Sequence, residues 1–250
     1  MSEETSPVEY REPILSEQAL AALQQIDPST LGEMRAFRES FARFIMPYKF
    51  GIDEIITKVS ILREEFALHE NNPIEHISSR LKSAESIEQK IVRKGCEPSF
   101  DAIRESITDI AGVRIVCGFV SDVYRVFEML TSQQDLRVLK IKDYISDPKP
   151  NGYKSLHAIV EVPVFLSEGT VAVPVEIQVR TVAMDFWASL EHKIYYKYDG
   201  DVPANLLRDL KNAADTAHDL DVTMENLHQQ VRAQSASGST DSTGGLAIAI

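Results

Sequence analysis

The chain has 250 residues, 44% hydrophobic and 26% charged, which suits one globular domain with additional helices and tails. Its formal net charge of -12 argues against wholesale nucleic-acid or membrane binding through bulk charge. The two cysteines, Cys96 and Cys117, lack CxxC spacing, so they suggest no zinc site and fit a reducing cytoplasm.

Residues 1–30 are polar, acidic and broken by Pro7, Pro13 and Pro28, and read as a weakly ordered extension. Their start, MSEETSPVEY, has no apolar core of the kind a signal peptide carries, and no apolar run in the chain is long enough to cross a bilayer. A helical pattern follows from about Leu31 to His69, its apolar stripe running from Phe41 to Phe66, with a kink or division expected at Pro47 and Gly51. Pro73–Lys82 reads as extended, Ser83–Lys94 as a helix capped by Gly95, and Phe100–Ile107 as a short helix. A strand at Gly112–Val120, a helix at Asp122–Leu130 and a strand at Leu136–Asp143 come next. Lys154–Val164 and Val171–Arg180 are strands able to form a hairpin across Ser167–Gly169. Helices at Thr181–Tyr196 and Asn205–Gln234 precede a low-complexity tail over residues 235–250. Strands and helices intermix, with at least one antiparallel pair, so the expected fold is α+β: a mixed β-sheet flanked by helices.

Charge is unevenly spread. Residues 1–34 carry seven acids against Arg11, half of the net charge, whereas Arg80–Gly95 carries five bases against Glu85 and Glu88. An acidic chain with one basic patch suits a small anion better than a polyanion. Arg80 and Lys82 share one face of an extended segment, and Ser86, Lys90 and Arg93 or Lys94 share one helical face. Guanidinium and ammonium groups converging from two elements suit a polyphosphate. The competing reading is a solvated helix face.

Asp109, in TDIAGVRIVCGF, precedes a strand and is followed by Ala111 and Gly112, which leave room for phosphates. Alone it reads more simply as a turn residue. In the last strand Val173, Val175, Ile177 and Val179 face one way, and Glu176, Gln178 and Arg180 the other. Asp109 with Glu176 fits the recipe for magnesium, which is held by one or two carboxylates plus substrate phosphates. Arg114 adds an anion contact or stacks flat on a base.

The loop DYISDPKPNGYKSLH places Lys149, Tyr153 and Lys154 where a nucleotide would bind, with Tyr153, Ser155 and His157 sharing a face. A hairpin-like loop around a core tyrosine is the simpler alternative. In the following helix Trp187, Leu190, Ile194 and Tyr198 form an apolar stripe read as core, while Asp185 and Glu191 lie off it, toward the site. His218–Asp219 reads as a helix surface pair.

Taken in order, RLKSAESIEQK, DIAGVRI, DYISDPKPNGYKSLH and VEIQVRTVAMDFWASLEHK resemble the synthetase domain of the RelA/SpoT family, over roughly residues 41–232. The short length resembles the single-domain small alarmone synthetases of the RelQ type. The resemblance implies a nucleotidyltransferase-like fold over residues 31–234, with N- and C-terminal helices. It implies a GTP diphosphokinase that moves the β,γ-pyrophosphate of ATP to the 3′-hydroxyl of GTP or GDP, giving (p)ppGpp and AMP. The hydrolase domain of the long family members has no counterpart here, so synthesis without degradation is implied.

Carried over by position, Asp109 binds Mg2+, and Glu176 helps to hold it or acts as base toward the 3′-hydroxyl. Arg80, Lys82, Ser86, Lys90, Arg93 and Arg114 take ATP. Lys149, Tyr153, Lys154, His157, Gln178, Arg180, Asp185 and Glu191 take GTP or GDP, with Tyr153 stacked on guanine. Asp185 stands where the family pattern carries Asn, an added carboxylate unfavourable to an anionic nucleotide if it faces the site. The resemblance also implies a homotetramer, with (p)ppGpp or single-stranded RNA as a regulator. Two other functions stay open: a catalytically weak module sensing guanine nucleotides or RNA, and a related nucleotidyltransferase.

Overall fold

The structure, a computed structural model, describes residues 27–68, 72–197 and 202–238. In chain order its elements are α1 (Pro28–Ala67), β1 (Ile74–Leu81), α2 (Ala84–Lys94), α3 (Phe100–Ser106), β2 (Ala111–Cys117), α4 (Val120–Thr131), β3 (Arg137–Asp143), β4 (Leu156–Leu166), β5 (Gly169–Thr181), α5 (Val182–Lys197) and α6 (Ala204–Gly238). The chain divides into two units between Ile45 and Met46. The described part of the first is the start of α1, where the Phe37 and Phe41 rings stack at 6.2 Å and Met34 and Phe37 are exposed.

The second unit is built on one five-stranded sheet in the order β1-β2-β5-β4-β3. β2 and β5 run parallel at its centre; every other neighbouring pair is antiparallel. The expected mixed sheet with flanking helices is present, and so is the hairpin joining β4 to β5. Alternation along the strands explains its two faces. Val173, Val175, Ile177 and Val179 of β5 are buried, as are Val113 and Ile115 of β2 and Ala158, Val160 and Val162 of β4. Against this apolar face lies α1, brought close at Gly51. A Cβ on Gly51 would meet Val175 at 3.1 Å and Val173 at 3.2 Å, so a larger residue would push the helix off the sheet. α4 packs on β2, β4 and β5 through Val123, Val126 and Leu130, all fully buried. Each such side chain contributes about 1.5–3 kcal/mol on burial.

The caps follow the sequence signals. Ser83 accepts from the Ser86 backbone N–H at the start of α2, and Gly95 ends it in the left-handed region at φ 65. Three expectations need correction. α1 is helical through Pro47 and Gly51, so of the kink or division expected there the division is absent. The strand expected to reach Val120 stops at Cys117, because Val120 already begins α4 with Phe119 as its N-cap. The last helix continues to Gly238 rather than ending at Gln234. The acidic extension up to residue 26, Tyr198 of the stripe and the tail from residue 239 lie outside the described residues.

Candidate active site

Strand register decides which polar residues meet. Arg80, Gly112, Glu176, Ile159 and Lys140 lie opposite one another across all five strands. Ser78, Arg114, Gln178, His157 and Lys142 form the next row. Gly112, without a side chain, leaves open floor between Arg80 and Glu176.

Two clefts open on this face. One, of about 440 Å³, is lined by Arg80, Lys82, Gly112, Arg114 and Gln178 among others. The other, of about 330 Å³, is lined chiefly by Lys90, Lys94, Lys140, Lys142, Tyr144, Lys149 and His157. Asp109 and Glu176 line both. The two carboxylates therefore stand where the clefts meet.

Asp109 is held by charge. Its Oδ2 accepts from Lys82 Nζ at 2.9 Å and from Lys90 Nζ at 2.5 Å. Burial alone would raise its pKa, but the hydrogen bonds from Lys90 and Lys82 outweigh this and hold the carboxyl below the usual aspartate range. Its other oxygen, Oδ1, is buried with no hydrogen-bond partner. An orphaned carboxylate oxygen on a residue that lines both clefts, with Glu176 lining them too, is a donor set that fits magnesium. Among the described residues no group of three or more His, Cys, Asp or Glu is placed to hold a metal. A cation there would draw its remaining oxygens from phosphates and water, as magnesium does.

Glu176 is held differently. Its Oε2 accepts from Gln178 Nε2 at 2.9 Å, and its Oε1 lies 3.5 Å from His157 Nδ1. Burial pushes its pKa up, and the His157 and Gln178 contacts more than offset it, so the carboxyl is ionised below the usual glutamate range. The surrounding side chains close into a ring. Arg180 Nη2 donates to Gln178 Oε1 at 2.6 Å and to the Tyr153 hydroxyl at 2.8 Å. That hydroxyl lies 2.7 Å from His157 Nε2. Arg180 is only 3% exposed and is also met by Asp185.

Other expected residues sit less directly. Lys149 Nζ lies 4.6 Å from the Tyr153 ring centroid and 4.8 Å from that of Tyr144. Glu191 lines neither cleft; it accepts from Asn151 Nδ2, and Asn151 Oδ1 accepts from the Tyr153 backbone N–H. Glu191 thus holds the Tyr153 turn. The same turn needs Gly152, at φ 89, where a Cβ would lie 2.5 Å from Ala214 of α6. Ser86 belongs to the α2 cap and Arg93 is exposed, both outside the linings; Lys94 is the residue of that helical turn that reaches the cleft. Lys154 turns toward α6, near His218 and Asp221, and its pKa is lowered by burial. Ser155, expected beside Tyr153 and His157, is buried, meets the Tyr153 side chain and donates to the Val179 carbonyl. In the α5 stripe Trp187 is buried, its Nε1 donating to the Leu210 carbonyl, whereas Leu190 is 41% exposed. Lys140, Lys142 and Tyr144 were not anticipated. Their signal is the KIKDY alternation, which places two lysines on one face of an edge strand.

A model described as a region found in RelA and SpoT proteins matches residues 79–201. The GTP pyrophosphokinase YwaC of Bacillus subtilis (strain 168) is 51% identical over 202 residues, covering 80% of this chain and 96% of that protein. The crystal structure of small alarmone synthetase 2 from Bacillus subtilis superposes with a TM-score of 0.70 at 52% identity, over 76% of this chain and 98% of that one. Small alarmone synthetase 1 from Bacillus subtilis, bound to its product pppGpp, gives a TM-score of 0.72 at 36% identity, over 77% and 98%. Similarity that spans nearly the whole of these relatives, together with a shared sheet, means that the chain belongs to the RelA/SpoT family, among its small alarmone synthetases.

Proposed function

We propose that this protein is a GTP diphosphokinase. It transfers the β,γ-pyrophosphate of ATP to the 3′-hydroxyl of GTP or GDP, giving (p)ppGpp and AMP. The observation that carries this reading is the placing of Asp109 and Glu176 at the junction of two clefts, each lined with cations. Pyrophosphoryl transfer between two nucleotides needs their reacting atoms held in line and the charge between them neutralised, with little covalent chemistry.

Arg80, Lys82 and Arg114 supply the walls of the donor cleft; Lys142, Lys149 and His157 supply those of the acceptor cleft. Tyr153 offers a ring for guanine, and Glu176, ionised and backed by His157, takes the proton of the 3′-hydroxyl. Asp109 and Glu176 would hold Mg2+, which offsets charge on the transferred group when bound. The acceptor oxygen displaces AMP from the β-phosphorus, so one P–O bond forms as one breaks. ATP and GTP place the reaction in the cytoplasm, and no helix among the described residues is long and apolar enough to cross a membrane.

The assembly reading is a homotetramer, supported by an apolar surface that α5 and α6 leave open. Val182, Phe186 and Leu190 of α5 and Leu220, Met224, Leu227 and Val231 of α6 are all at least 40% exposed. Light scattering on the purified protein tests it, a monomer at micromolar concentration rejecting it. A cleft between subunits would be the place for (p)ppGpp or single-stranded RNA to act.

The activity is tested by incubating the protein with magnesium, γ-labelled ATP and GTP or GDP. Label passing to the guanine nucleotide with an equal amount of AMP is the expected result. Pyrophosphate release would establish nucleotidyl transfer instead, and nucleotide binding without transfer would establish a sensor.

A further inference from the structure

Arg180 is a buried guanidinium, 3% exposed, and Asp185 is the carboxylate that answers it, Oδ1 lying 3.2 Å from Nη1. The same Oδ1 lies 3.2 Å from Nη1 of Arg114. One carboxylate oxygen is therefore shared by two arginines from neighbouring strands. Arg114 lines the donor cleft. Arg180 lies behind both clefts: its Nη2 donates to Gln178, which lines the donor cleft, and to the Tyr153 hydroxyl, which meets His157 of the acceptor cleft. His76 Nε2, at 3.9 Å from Asp185 Oδ2, is the other base facing this carboxylate. The Nε atoms of both arginines are buried without a hydrogen-bond partner. Arg114, with its side chain 38% exposed, is the one with room to re-aim when a better acceptor arrives, whereas Arg180 is fixed by its hydrogen bonds.

We infer that Asp185 is a positioning residue that couples the two nucleotide clefts by sharing its charge between Arg114 and Arg180. A donor nucleotide that draws Arg114 toward its phosphates or base removes a competitor for Asp185 and a repelling neighbour of Arg180. Arg180 then holds Tyr153 and Gln178 more firmly, and through Gln178 the base Glu176. Donor binding raises acceptor affinity, and by linkage acceptor binding raises donor affinity by the same factor. An uncharged side chain at 185 breaks this link and releases Arg114 to the donor cleft. This inference rests on the diphosphokinase reading.

The test is calorimetric titration of the intact protein with GDP, with and without saturating α,β-methylene ATP, which cannot transfer. The expected factor in the unaltered protein is about tenfold in GDP Kd. In D185N it falls below about twofold, and the ATP analogue alone binds no more weakly than to the unaltered protein, because Arg114 is no longer held back. R114Q provides a second route should D185N not fold: it abolishes the same factor, and the double variant loses nothing further. A folded D185N that retains the full factor overturns the inference, as does independent binding in the unaltered protein. Failure of the unaltered protein to bind either nucleotide overturns the diphosphokinase reading itself.

Discussion

Asp109 and Glu176 share a cleft junction, yet they are held in opposite ways. Asp109 sits under two ammonium groups that touch a single oxygen. Glu176 sits between an imidazole and an amide. Both are ionised below their ordinary range, but by different means. A carboxylate fixed by two full charges is committed to anchoring positive charge. One steadied by His157 and Gln178 carries no full positive charge of its own, which suits the base role proposed for Glu176. Environment, more than residue type, separates an electrostatic post from a base.

The comparison is broken most strongly by Glu176→Gln, which keeps the shape and removes the base. Turnover should fall by about 10⁴-fold with the circular dichroism spectrum unchanged; near-normal rates would take Glu176 out of the mechanism. Asp109→Asn should lower kcat by about 10³-fold and also lower the Tm, since Lys82 and Lys90 lose their counter-charge. A normal Tm in that variant would show that the ammonium pair does not need Asp109. Tyr153→Ala should raise the acceptor KM by about tenfold while leaving the ATP KM in place, as expected for a lost base–aromatic stack. Equal changes in both KM values would point to loop collapse instead.

The smallest effect lies in acid. Because folding lowers the pKa of both carboxyls, each stabilises the native state above its unfolded pKa and loses that contribution as pH falls through the lowered folded value. Thermal scans between about pH 5 and pH 3 should show the wild type losing stability more steeply than either amide variant. Parallel curves would mean that neither carboxylate is coupled to folding.

Much of this site could be read from the chain, for a physical reason. Alternation in β5 puts Glu176, Gln178 and Arg180 on one face whatever the tertiary context, and the carboxylate–lysine grouping follows from residue type and order. What could not be read depends on register and on loop conformation. The pairing of Arg114 in β2 with Gln178 in β5, separated by two strands in sequence and adjacent in space, has no local signal. Arg93 and Lys94 stood equal on a helical wheel, and only the seating of α2 against the β-sheet separates them. Pro47 was expected to divide a helix that instead continues, local preference yielding to packing of the buried residues around it.

The central position of β5 has a consequence for how the molecule is made. β5 is the last strand among the described residues, yet it lies between β2 and β4 and joins them. Until the ribosome has released it, the sheet can exist only as two separate hairpin-like pairs, β1 with β2 and β3 with β4. Asp109 is then present without Glu176, and Arg114 without Asp185. A growing chain is thus catalytically silent until its final strand inserts, and translation that stops short of β5 yields no partly active synthetase.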